Sequence, residues 1–204
     1  MDRKELNDIV VSWLALSVAF MFLFEDVTFS NLFEFLGGVS PGHLGIYLFI
    51  VAVSFLSHEF GHRQVARKYG FKANYEMWPQ GLVLALVTSL IGFLFAAPGA
   101  VVIRQRGIVN GSRETLKKIG LRISIAGIAM NLLLGLLFLF LLALNLNGNY
   151  LFVEVLERAA RINILLALFN LLPIPPLDGS KVLYYSKKVW VAAFLVSLLL
   201  LFLL

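Results

Sequence analysis

The sequence predicts an all-α polytopic membrane protein of about five transmembrane helices, with a re-entrant hairpin and a small β element. Three observations carry this expectation. Of the 204 residues, 60% are hydrophobic and only 14% are charged, whereas soluble domains run at about 45–50% and about 25%. Several apolar runs approach or exceed the roughly 18–20 residues that cross a bilayer as a helix. The basic residues behind the net charge of +5 flank these runs, which is the positive-inside pattern and excludes nucleic acid as a partner. Cysteine is absent, so a metal site has to be built from histidine and carboxylate.

The first span is expected over residues 7–24, after the charged start Asp2-Arg3-Lys4-Glu5. It reads as a retained anchor and not a cleaved signal, because Glu25, Asp26 and Val27 follow it where small residues would mark a cleavage site. The connection Glu25–His43 is acidic. Ser40-Pro41 then supplies an N-cap and a proline at the first helical position. Span two runs from about Leu44 to Arg67, with Gly70 as its stop. From Phe71 to Met77 apolar and polar residues alternate, the signature of a half-buried strand.

The apolar stretch Gly81–Ile103, broken by Pro98-Gly99, is read as re-entrant. With that reading Arg3, Lys4, Arg63, Arg67, Lys68, Lys72, Arg104, Arg106, Arg113, Lys117, Lys118, Arg122, Lys181, Lys187 and Lys188 share one side. These are 15 of the 17 basic residues, and only Arg158 and Arg161 lie opposite; a full crossing would break the bias. The lengths agree. About 12 helical residues descend roughly 18 Å, and about 7 extended residues climb back roughly 23 Å. Asn110-Gly111 then marks a hairpin-type turn. Span three is expected over about Ile119–Leu144, followed by a polar loop to Tyr150 and an interfacial helix over Leu151–Arg161. Span four runs from Ile162 through Pro173, Pro175 and Pro176 to Tyr185, and span five from Val189 to Leu204. The whole, residues 1–204, is expected to form a single membrane-embedded domain with its core at about 44–185 and no appended soluble domain.

Function is expected at His58-Glu59-Phe60-Gly61-His62, inside span two. Two imidazoles and a carboxylate in lipid cost several kcal/mol unless paired, metal-bound or hydrated. Histidines at i and i+4 lie about 40° apart around a helix, so both can reach one zinc ion, and the adjacent glutamate can activate a water. Zinc needs a third protein ligand and an open position. Asp178 follows an apolar run and a proline cluster, about 9–10 residues before Lys187-Lys188. His58 and His62 lie about 5–9 residues before Arg67, so both sites sit roughly 8–15 Å beneath one basic face. Asp178-Gly179 also reads as a simple turn after prolines, and that alternative stays open at this point. The prolines free backbone groups that need water or neighbours, which implies a hydrated pocket.

Together these residues resemble the site-2 protease family of intramembrane zinc metalloproteases, peptidase family M50. HEFGH matches its first motif. Asn170, Pro173, Pro176, Asp178 and Gly179 match every fixed position of its second, N-x-x-P-x-x-P-x-D-G. A third element, A-G-P-x-x-N, corresponds to Ala126-Gly127-Ile128-Ala129-Met130-Asn131, with Ile128 where the family has proline. The resemblance implies one zinc per chain held by His58, His62 and Asp178, with Glu59 as general base. Asn170 is the expected oxyanion donor, since a buried amide can meet the charge that develops on a tetrahedral intermediate; the role of Asn131 stays open. The substrates implied are transmembrane proteins, cleaved in the cell membrane nearer its cytoplasmic face. A substrate helix has to unwind, and the edge of Phe71–Met77 or of the strand after Pro98 is expected to clamp it. A metal-ion transporter and a prenyl-protein-type membrane endopeptidase are the alternatives. His43, in a Ser-Pro-Gly-His loop, is expected to be solvent-facing.

Overall fold

The computed structural model describes residues 3–105, 112–144 and 149–204. Helices α1 (Arg3–Phe24), α2 (Leu32–Gly38) and α3 (Pro41–Lys68) precede strand β1 (Phe71–Met77). Helix α4 (Pro79–Ser89) and strand β2 (Gly99–Gln105) follow, then α5 (Arg113–Leu144), α6 (Tyr150–Asn170), α7 (Asp178–Tyr185) and α8 (Lys187–Phe202). The protein is mostly helical. Among the described residues, α1, α3 and α5 are long and apolar enough to cross a membrane. The expected turn at Asn110-Gly111 lies outside the described residues.

The chain divides into two compact units, one of residues up to Val53 with Tyr75–Ala100, the other of Ser54–Asn74 with Val101–Leu204. In the first unit α1 packs on α4. Two carboxylates of α1, both buried, take the backbone of β1: Glu5 accepts from Tyr75 N at 2.9 Å and Asp8 from Met77 N at 3.3 Å. The Tyr75 hydroxyl donates to Ser12 at 2.9 Å. The predicted alternation in β1 is thus real, with Ala73 and Tyr75 facing inward. Its edge at Tyr75 and Met77, however, is occupied by the protein's own acids, because backbone amides are strong donors that a buried carboxylate needs. After α4 the chain turns at Gly92, whose φ of 77° suits glycine. It returns extended to pair β2 with β1, Trp78 N donating to Pro98 O at 2.8 Å. Gly81 allows the return segment to lie against α4, since a Cβ there would be 2.1 Å from the Ala97 carbonyl oxygen.

The second unit contains the end of α3, the first residues of β1, most of β2, and α5 to α8. Ala66, Ala73, Ile119 and Ile123 form one core cluster; Ile128, Ala167, Leu171 and Val182 form another. Small residues set the closest approaches, as expected where lipid gives helices no hydrophobic reason to associate. A Cβ on Gly61 of α3 would fall 2.9 Å from the Ala126 carbonyl oxygen of α5. Ile128, standing where the resembled motif has proline, is fully buried within an unbroken α5.

Several boundaries differ from expectation, among them the start of α5 at Arg113 and not about Ile119. The interfacial helix and the first half of span four are one helix, α6, because Asn149 caps it at Leu151 N and Glu154–Arg158 and Glu157–Arg161 pair one turn apart. Its end at Asn170 follows from Pro173, which denies a donor to the next turn and pushes the preceding residue out of α geometry. The carbonyl left open at Leu171 is taken by Trp190 Nε1 at 2.7 Å. The chain then re-enters helix at Asp178, and Ser186 caps α8 by accepting from Val189 N. The acidic connection after α1 also contains a short helix, α2.

Candidate metal centre

His58 and His62 sit one turn apart on the buried side of α3, their rings edge to face at 4.7 Å between centroids. Their Nε2 atoms are 3.0 Å apart. Asp178, the first residue of α7, brings Oδ2 to 2.7 Å from His62 Nε2 and 3.4 Å from His58 Nε2. The three ligand atoms lie within 4.8 Å of one another. Asp178 is therefore not a simple post-proline turn residue. The proline break at 171–177 turns the chain so that α7 starts at the histidines. Gly179 makes this possible: a Cβ there would lie 2.3 Å from the Leu171 carbonyl group.

The proton inventory decides what such a cluster can hold. His62 Nδ1 is 2.7 Å from the Ile123 carbonyl oxygen, which can only accept, so Nδ1 carries a proton and, when the ring is neutral, Nε2 presents a lone pair. His58 Nδ1 lies 2.6 Å from Asn131 Oδ1, which gives its Nε2 the same character. Two imidazole lone pairs and a carboxylate oxygen converging on one point repel each other unless a cation lies among them. The donor set is that of a catalytic zinc, with a fourth position left for water. Separations of 2.7–3.4 Å are close to the tetrahedral edge of about 3.3 Å that Zn–N and Zn–O bonds of about 2.0–2.1 Å imply. The residues present fit zinc.

The surroundings are shaped for the same purpose. Lys181 Nζ donates to Asp178 Oδ1 at 3.1 Å, leaving Oδ2 to face the histidines. Gly127 of α5 forms the floor of the site, since a Cβ there would fall 2.3 Å from His62 Nε2 and 2.7 Å from His58 Nε2. Glu59 is buried beside His58, and its Oε2 has no hydrogen-bond partner among the described residues. A buried oxygen without a partner calls for an explanation, which an ion, a water or a catalytic role supplies. Asn170 lies in the last turn of α6, its amide donating to the Leu166 carbonyl at 2.9 Å. His43 is outside the cluster and half-exposed, bonded to Glu25 at 3.0 Å.

Asn131 is fully buried and engaged at every polar position: Oδ1 at His58, Nδ2 at the Ser54 carbonyl (3.1 Å) and at Asn163 Oδ1 (3.0 Å). Its amide protons are spent within the protein, so it is not an oxyanion donor. Ser54, Asn163 and Lys181 are the site residues that sequence reasoning did not single out, and Gly127 entered it only as part of the third motif element. A signal existed for two of them. Ser54 precedes His58 by four residues, on the same helical face, and Asn163 interrupts the apolar run Ile162-Asn163-Ile164.

Residues 146–201 match the family model described as peptidase family M50. The chain is 34% identical over 190 residues to a Methanocaldococcus jannaschii protein named "Putative zinc metalloprotease MJ0611", covering 93% of this chain and 88% of that one. It is 33% identical over 166 residues to "Putative zinc metalloprotease YwhC" of Bacillus subtilis, covering 70% of each. A third relative, "Zinc metalloprotease MJ0392" of M. jannaschii, is 28% identical over 148 residues, covering 70% of this chain and 35% of the relative. No solved structure matches the chain.

Proposed function

The chain belongs to peptidase family M50 and is a membrane zinc metalloprotease, and from that premise we propose that it hydrolyses peptide bonds in or near the transmembrane segments of other proteins. One observation carries the reading: His58 and His62 of a candidate span converge with Asp178, their ligand atoms within 4.8 Å of one another, beside a buried glutamate oxygen without a partner among the described residues. In this reading His58, His62 and Asp178 hold the metal. Zinc, when bound, supplies Lewis acidity and makes a water nucleophilic near neutral pH. Glu59 accepts the proton that the attacking water loses and returns it to the amide nitrogen as the C–N bond breaks. The Leu166 carbonyl takes one proton of the Asn170 amide; the other is the proposed donor to the oxyanion.

The charge asymmetry and the hairpin geometry support the topology. Helix α4, at 11 residues, spans about 16 Å, too short to cross, and the chain after it returns to β1. Residues 81–103 are then the re-entrant hairpin, and the spans are α1, α3, α5, α6 with α7, and α8. All belong to one membrane-embedded domain in the cell membrane, with the site nearer the basic, cytoplasmic face. The partners are lipid and transmembrane substrates that unwind before cleavage. Because Glu5 and Asp8 occupy β1 at Tyr75 and Met77, β2 is the strand this proposal assigns to substrate.

The test is purified protein and its Glu59→Gln variant with single-span substrates of both orientations. The variant is expected to keep zinc and lose cleavage by about 10²–10⁴-fold. A variant that still cleaves removes Glu59 from its role, and an enzyme that cleaves only soluble peptides refutes intramembrane action.

A further inference from the structure

Beyond the metal ligands themselves, a buried polar chain runs from α6 to His58. Its orientation is fixed by groups that can only accept. The Ala159 carbonyl receives Asn163 Nδ2 at 2.8 Å, so the Asn163 amide cannot be flipped and its Oδ1 faces Asn131. The Ser54 carbonyl and Asn163 Oδ1 each receive one proton of Asn131 Nδ2, at 3.1 and 3.0 Å. Asn131 Oδ1 is thereby left facing His58 Nδ1 at 2.6 Å. Ser54 Oγ takes the remaining Asn163 proton at 2.8 Å. Asn131, Asn163 and Ser54 are all fully buried, in surroundings where an unmade hydrogen bond costs its full desolvation penalty.

We propose that Asn131, locked by Ser54 and Asn163, is the positioning residue that sets the tautomer of His58, keeping its proton on Nδ1 and its Nε2 lone pair on the metal. An amide oxygen at that place accepts; the reversed amide would donate into the same ring nitrogen and move the proton to Nε2, where it blocks coordination. His62 obtains the same result from a backbone carbonyl that cannot flip. His58 faces a side chain that can, and Ser54 and Asn163 remove that freedom. Groups that orient a ligating histidine in this way are worth about 10–100-fold in metal affinity.

The inference rests on His58 being a zinc ligand, so His58→Ala is measured in parallel. The chain has three histidines, few enough for ring-¹⁵N spectra of the zinc-loaded protein to be assigned. With zinc bound, the expected spectrum has a protonated Nδ1 and a proton-free, metal-facing Nε2 at both His58 and His62. Asn131→Leu is expected to give mixed tautomers at His58 alone and to lower zinc affinity by about 10–100-fold. Asn163→Leu, which removes one of the two anchors, is expected to fall between that variant and the parent. A folded Asn131→Leu protein with parental affinity and a single Nδ1–H tautomer at His58 overturns the proposal. So does an Nε2–H tautomer in the unmodified protein, a measurement that needs no variant to fold. If His58→Ala itself retains full affinity, the ligand assignment fails instead.

Discussion

Gly127→Ala is the smallest substitution expected to abolish the site. The added methyl would stand 2.3 Å from His62 Nε2 and 2.7 Å from both Nε2 and Cε1 of His58. Ordinary contacts to a methyl carbon are about 3.5–4.0 Å, so the gap has to open by roughly 1 Å. Neither side can yield cheaply. The rings are pinned through Nδ1 to Ile123 and Asn131, and at Gly61 the α3 backbone already lies against the Ala126 backbone of α5. Zinc–ligand distances tolerate about 0.2 Å, so a displacement of about 1 Å removes at least one ligand. Loss of affinity by at least about 100-fold, about 2.7 kcal/mol, is expected. The methyl also occupies the place where the lone pairs converge, a purely steric effect that raising the zinc concentration to parental saturation does not relieve. The assay is zinc content after equilibration in a zinc buffer, alongside the thermal midpoint in detergent and cleavage of a single-span substrate. A Gly127→Ala protein that binds zinc within threefold of the parent and cleaves would refute the argument that α5 backbone forms the floor of the site.

Two further outcomes follow from the same geometry. Trp190→Phe leaves the Leu171 carbonyl without the indole donor, which costs about 1–3 kcal/mol for a buried acceptor; thermal melting in detergent should fall by several degrees, with zinc content unchanged. Removal of zinc by a chelator should lower the thermal midpoint and readdition should restore it, since free zinc at 100 times Kd contributes about 2.7 kcal/mol; an unchanged midpoint would argue against a folded-state zinc site.

Composition and hydropathy determined the membrane class, because a chain with so few charges has no other solvent that suits it. HEFGH announced a metal at helical spacing, and the proline cluster marked where helix α6 ends and Asp178 begins. These are local properties of chain geometry and residue chemistry, legible without a fold. The merger of the expected interfacial helix with span four was not legible, because it depends on a cap at Asn149 and on ion pairs between Glu154, Arg158, Glu157 and Arg161 that offset the charges. The use of Glu5 and Asp8 is a second case. Their partners, Tyr75 and Met77, lie 70 and 69 residues away, and no pattern near either end reveals the pairing.

The sequence by itself therefore determined which atoms are able to bind zinc: two imidazoles, a carboxylate and a neighbouring glutamate. Only the tertiary structure brought the two imidazoles and the carboxylate to one point and set which ring nitrogens converge there. That arrangement rests on long-range contacts: Gly127 lets the α5 backbone pack against the two imidazoles, Gly179 lets the start of α7 pack against Leu171, and Asn131 is fixed by Ser54 and Asn163 from two other helices. A glycine or an asparagine in an apolar helix carries no sign of which side chain it will face. Its role exists only once packing has brought that side chain to it.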